Sequence, residues 1–123
     1  MEFLTRISKK TPKTKRPTTK YEYSLLTSIR KTPFILNKTS KFTIGRKTKN
    51  NITIPQYTTS DLHATIKWVK SNFKLTDENS TNGTFLNGKR IYEPATLKNG
   101  DKIKIGKFVI KFKAKKIRIK KNK

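Results

Sequence analysis

Cysteine is absent from the 123 residues, and histidine occurs once. Without thiols there is no disulfide scaffold, no thiolate zinc site and no cysteine nucleophile, and such usage fits a reducing, intracellular setting. A lone imidazole has no partner for a histidine metal site or a catalytic triad. Acidic side chains are scarce too, seven against 31 Lys and Arg, so general acid–base chemistry lacks paired carboxylates. No Gly-x-x-x-x-Gly-Lys loop is present to cradle a nucleotide phosphate. These absences predict a protein that is not an enzyme and that needs no metal and no cofactor. No stretch approaches the ~20 apolar residues of a membrane span. Met1–Ile7 holds no apolar run of signal-peptide length. The expectation is a soluble intracellular protein without a membrane partner. Apolar residues make up only 32% of the chain, which allows one compact core and leaves part of the sequence outside it.

What is abundant is positive charge, a formal net of +24. Residues 1–20 carry seven bases and one acid, and residues 114–123 carry six bases and no acid. The body between them holds 18 bases and six acids, so it is basic as well. Such a surface attracts polyanions over roughly a Debye length, ~8–10 Å at physiological salt. Residues 8–20 have no apolar side chain beyond two prolines and cannot offset the entropy of ordering. Residues 1–20 are therefore read as a disordered basic arm and 114–123 as a basic C-terminal tail. Either end suits nuclear import or nucleic-acid contact, or is simply a solvated tail.

From Tyr21 the pattern changes to short runs of period two. Ala64, Ile66 and Trp68 alternate with Thr65, Lys67 and Val69, and Phe73 and Leu75 alternate with Asn72 and Lys74. Ile103 and Ile105 alternate with Lys102 and Lys104, and Phe108, Ile110 and Phe112 follow Gly106. One face of each run is apolar, as in antiparallel strands with one side on a core. Trp68, at strand spacing, is assigned to that core. Asn82-Gly83, Asn87-Gly88 and Asn99-Gly100 supply residues that tolerate positive φ and mark tight turns. Many short strands with such turns predict an all-β sandwich or barrel.

Three clusters stand between these strands: Phe42-Thr43-Ile44-Gly45-Arg46, Ser60-Asp61-Leu62-His63-Ala64, and Asp77 through Gly88 with Ser80-Thr81-Asn82-Gly83-Thr84 at its centre. After them comes Leu97-Lys98-Asn99-Gly100-Asp101, leading into the last apolar strands. In this order the clusters resemble the signature of the forkhead-associated (FHA) domain over about residues 22–113. The resemblance implies a two-sheet antiparallel β-sandwich spanning residues 21–113, whose loops at one end bind a phosphothreonine in an extended peptide. By position, Arg46 is similar to the family's phosphate-binding arginine, Ser60 to its phosphate-binding serine and Thr81 to the third contact. Asn82 matches the asparagine that holds the ligand backbone. Gly45 and His63 match structural positions, and Gly83 of the adjacent turn is assigned the same supporting role.

The chemistry is consistent with these residue types. A phosphate monoester carries about −1.5 to −2 charge and three acceptor oxygens. An arginine fork meets two of them, and hydroxyls from Ser60 and Thr81 suit the rest. At ~1.5–3 kcal/mol per charge-assisted bond, three such contacts dominate a micromolar interaction of ~8 kcal/mol. Two departures from the family pattern bear on affinity. Asp61 puts a carboxylate beside the phosphate position, where it repels the ligand or pairs with Arg46 or a lysine when the site is empty. Thr58 replaces a position that is basic in some members. The leading expectation is a phosphothreonine-dependent interaction adaptor in the nucleus. The alternative is a basic structural or nucleic-acid-packaging protein, a chromatin or virion component acting in a viral factory, that uses the fold as scaffold and its tails for binding. A third expectation is phosphorylation-dependent self-association, with Thr11, Thr14, Thr18 or Thr19 as the modified residue.

Overall fold

The computed structural model describes residues 19–118. Within them lie eleven strands: β1 (Thr19–Leu26), β2 (Phe34–Ile35), β3 (Phe42–Gly45), β4 (Ile52–Thr53), β5 (Ala64–Val69), β6 (Asn72–Asp77), β7 (Phe85–Leu86), β8 (Lys89–Arg90), β9 (Ala95–Thr96), β10 (Lys102–Ile105) and β11 (Phe108–Arg118). They form two sheets, ordered β2-β1-β11-β10-β7-β8 and β4-β3-β5-β6-β9. Every pairing is antiparallel except β3 with β4, so the second sheet is mixed where an antiparallel one was expected. The all-β architecture is as the alternating pattern predicts, and the two-sheet sandwich is as the resemblance implies.

The two sheets close on a core of buried aliphatic and aromatic side chains. Leu25, Ile103, Ile105, Ile110 and Phe112 enter from one sheet, and Ile44, Ala64, Ile66, Phe73 and Leu75 from the other. Burying each large side chain is worth ~1.5–3 kcal/mol. At the end of β5 far from Ala64, Trp68 stacks edge-on against Phe73 with centroids 4.9 Å apart, and Tyr23 meets Phe73 at 5.0 Å. Trp68 thus belongs to the core margin, capped by the Lys38 ammonium 4.4 Å from its ring. This aromatic block anchors one end of the sandwich and leaves the loops beyond Gly45, before Ala64 and after Asp77 to share the other.

The strict alternation of β5 breaks at one residue. Thr65 is buried although it sits at an outward position, and its hydroxyl donates at 2.7 Å to Oε2 of Glu78, the residue that follows β6.

Both ends of the domain run further than the composition suggests. β1 begins at Thr19 and pairs with β11 out to Arg118. Residues 19–20, assigned to the arm, and 114–118, assigned to the tail, are therefore strand. The main-chain ladder forms regardless of side-chain polarity, and Lys115 and Lys116, which project to opposite faces of the strand, are both exposed. The remainder of both tails, including Thr11, Thr14 and Thr18, lies outside the described residues, while Thr19 opens β1.

Candidate functional site

The site is built where three loops are tied to one another by backbone bonds. β3 ends at Gly45, and an added Cβ there would run into the backbone carbonyl oxygen of Asp61 and lie 2.7 Å from Asn50 Nδ2. Glycine is required because the second loop approaches this closely. Immediately afterwards the Arg46 amide donates to the Ser60 carbonyl at 2.9 Å. The buried Asn50 side chain closes the same seam, with its Nδ2 donating to Lys47 O at 2.9 Å and Asp61 O at 2.7 Å. Arg46 and Ser60 are therefore adjacent because the β3–β4 loop is laced to the β4–β5 loop.

His63 locks the second loop to the third. Its ring is fully buried. Nδ1 accepts from the Ser60 amide at 3.1 Å, and Nε2 lies 2.9 Å from the Gly83 carbonyl. An amide can only donate and a carbonyl only accept, so the ring is the neutral tautomer with its proton on Nε2. His63 thereby ties the Ser60 amide to the Gly83 carbonyl.

The third loop is organised by Asp77, the last residue of β6. Its carboxylate accepts from the Ser80 amide (3.0 Å), the Ser80 hydroxyl (2.6 Å) and the Thr84 hydroxyl (2.6 Å). Ser80 Oγ in turn accepts from the Gly83 amide at 2.9 Å, and Gly83 adopts φ 91°. Burial by itself pushes the Asp77 carboxyl upward, but the hydroxyl donors of Ser80 and Thr84 and the Ser80 amide outweigh it and hold the group below the usual carboxylate range. The resulting loop presents Thr81 and Asn82, both exposed, to the solvent side.

The predicted ligand-contacting residues meet here. The Thr81 amide donates to Ser60 Oγ at 3.2 Å, which occupies a lone pair of that hydroxyl and leaves its proton for an outside acceptor. The Asn82 side-chain amide donates to Thr58 O at 2.8 Å. It thus joins the loops before it reaches any ligand, retaining one N–H and its carbonyl oxygen. Arg46 pairs with Asp61, Nη2 to Oδ1 at 3.0 Å and Nε to the same oxygen at 3.3 Å. Lys47 Nζ stands 4.0 Å from the other oxygen. The two partner side chains are 44% and 53% exposed, so the link lies open to solvent and does not seal the space between the loops. Beside Asn82 a groove of roughly 700 Å³ runs along Pro55, Gln56, Tyr57, Thr58, Gly106 and Lys107.

Asp77, Ser80 and Thr84 stand in the third sequence cluster but were assigned no role there, and Asn50 was not singled out. Asp77-x-x-Ser80 has the spacing of a side chain that accepts from a nearby amide, a signal available but outweighed by the Asn-Gly turn that follows. Nothing in Lys47-Thr48-Lys49-Asn50 marks the asparagine.

A family model for the FHA domain matches residues 42–106, the stretch from β3 through β10 that builds these loops. The chain belongs to the FHA domain family. Among relatives, it is 36% identical over 89 residues to the mouse angiogenic factor with G patch and FHA domains 1, a match covering 64% of this chain and 12% of that protein. It is 35% identical over 68 residues to the glycogen accumulation regulator GarA of Mycobacterium tuberculosis, covering 55% and 41%. The chain thus spans less than half the length of these curated relatives. In three dimensions the FHA sandwich superposes with a TM-score of 0.66 on a domain solved in work on phosphothreonine-dependent FHA domain interactions, at 27% identity over 75% of this chain and 95% of that one. It superposes at 0.68 on Mycobacterium tuberculosis EmbR solved in complex with a low-affinity phosphopeptide, at 25% identity over 83% and 26%.

Proposed function

We infer that this FHA domain is a phosphothreonine-peptide-binding module and that it acts as an interaction adaptor. The observation that carries the reading is the lacing of Arg46, Ser60 and Thr81 to one another, through the Arg46 amide to Ser60 O and the Thr81 amide to Ser60 Oγ. Arg46 supplies the charge and the planar fork, Ser60 and Thr81 supply hydroxyl donors, and Asn82 faces the main chain of the ligand. The groove past Asn82 has room for the residues that flank the phosphothreonine. Relatives solved in phosphothreonine-dependent interactions and with a phosphopeptide support the reading.

In this mechanism the phosphate displaces Asp61 from Arg46. The exchange is favourable because a phosphate of charge about −2 offers two oxygens to the fork, whereas a half-exposed ion pair is worth only ~1 kcal/mol or less. Binding of a phosphothreonine peptide to Arg46→Ala, followed by fluorescence anisotropy with the unphosphorylated peptide as control, tests the site. The variant should lose binding by a factor of about 100 or more, as expected for two charge-assisted bonds, with its thermal midpoint within a few degrees of wild type. Equal affinity would refute the assignment.

A further inference from the structure

We propose that the outer face of the six-stranded sheet is a docking surface for the sugar–phosphate backbone of a nucleic-acid duplex, separate from the phosphothreonine loops. The register places the side chains. Ile103, Ile105, Ile110 and Phe112 point into the core, so the residues alternating with them, Lys102, Lys104, Lys111, Lys113 and Lys115, point away from it. Lys20, opposite Ile117, joins the same face from β1. Lys102 and Lys111 are direct cross-strand partners, and like charges opposite one another oppose sheet formation.

The face has almost nothing to neutralise it. Glu22, opposite Lys115, is the one acid that the register puts there. Among the described residues the ion pairs are those of Asp61. Asp101, which precedes β10, commits its carboxylate to Asn87 Nδ2 and the Lys98 amide. The field of the lysines therefore projects outward.

Charge density selects the occupant. Lysines two residues apart on β11 lie ~6.8 Å apart and adjacent strands ~4.8 Å apart, so Lys111 to Lys115 spans ~14 Å. The same length of duplex carries about eight phosphates. A single strand would need aromatic side chains for its bases, and the face offers only the half-buried Phe85, opposite Lys104. A membrane-adsorbed face would need an apolar stripe with aromatic anchors; here Val109 and Ile117 stand at opposite ends of the lysine row and the exposed Ile35 lies across β1 from Lys113, beside Ser24.

The test uses the full chain and a 20-base-pair DNA duplex, with affinity read by fluorescence anisotropy between about 0.05 and 0.2 M salt. Replacing three charges together (Lys111→Glu, Lys113→Glu, Lys115→Glu) should weaken binding at least about 10-fold. It should also lower the magnitude of the log K–log salt slope by about three, at ~0.9 per phosphate contact. A second variant, Lys102→Gln with Lys104→Gln, should lower it by about two and guards against misfolding of the first. Arg46→Ala should leave duplex binding unchanged, which keeps this surface distinguishable from the peptide site. Unchanged affinity and slope in both lysine variants would place any binding in the terminal segments and overturn the proposal. So would capture by phosphatidylserine vesicles without duplex binding.

Discussion

Asp61 and Asp77 show how differently one residue type serves at opposite depths of the same site. Asp61 is half exposed and holds Arg46 through one oxygen, so it competes with any incoming phosphate and repels it. Asp61→Asn should therefore tighten phosphothreonine-peptide binding about 3- to 10-fold, the worth of removing one exposed pair; a titration showing equal or weaker binding would assign the carboxylate a helpful role. Asp77 lies beneath the loop and is held below the ordinary carboxylate range by its donors. A carboxyl lowered in the folded state contributes stability that is present above its unfolded value, ~3.9, and is lost as pH falls through the folded one. Asp77→Asn should cost ~1–3 kcal/mol in urea unfolding at pH 7, and the gap to wild type should narrow below about pH 4. A gap independent of pH would show that the charge is immaterial.

The strands differ in how plainly their residues announce them. β5, β6, β10 and the first half of β11 follow alternation because each buries one face. The β7–β8 hairpin follows from Asn87-Gly88, whose φ values of 50° and 87° match a two-residue turn. The other Asn-Gly pairs do different work. In Asn82-Gly83 and Asn99-Gly100 only the glycine has positive φ, Asn82 ties two loops, and Asn99 Oδ1 accepts from the Ala114 amide at 2.9 Å. The β5–β6 turn at Lys70-Ser71 has no glycine, and Lys70 takes φ 61° instead. Two-residue strands such as β4 and β9 are too short to show a period at all. At the end of β3, Gly45→Ala should destabilise the fold by about 1–3 kcal/mol, because the Asp61 backbone would have to retreat. It should weaken peptide binding as well, since the same movement separates Arg46 from Ser60. Wild-type stability in thermal melts would show that the loops part freely.

Across the whole molecule, rigidity and function sit at opposite ends. Tyr23, Trp68, Phe73 and Phe112 fill the end away from the loops, with Phe73 touching the other three rings at centroid distances of 4.9 to 6.3 Å. Phe73→Ala should cost ~3–5 kcal/mol, a large share of the ~5–15 kcal/mol that such domains possess. Denaturant unfolding should show it, while peptide affinity of the protein that remains folded should be nearly unchanged. A selective loss of affinity at full stability would contradict this separation of core and site.

The period-two pattern and the turn residues were enough to determine an all-β domain, because burial on one face and turn chemistry are local demands written residue by residue; the sandwich and its candidate binding residues followed from the resemblance of Gly45-Arg46, Ser60-x-x-His63 and Thr81-Asn82-Gly83, in that order, to the FHA signature. The three-loop seam could be decided only in three dimensions. Asn50, Asp77 and the His63 tautomer act through partners 3 to 20 positions away, and one-dimensional spacing carries no record of which amide meets which carbonyl. The same holds for the lysines of β10 and β11, which become a single face only when the sheet sets their strands side by side.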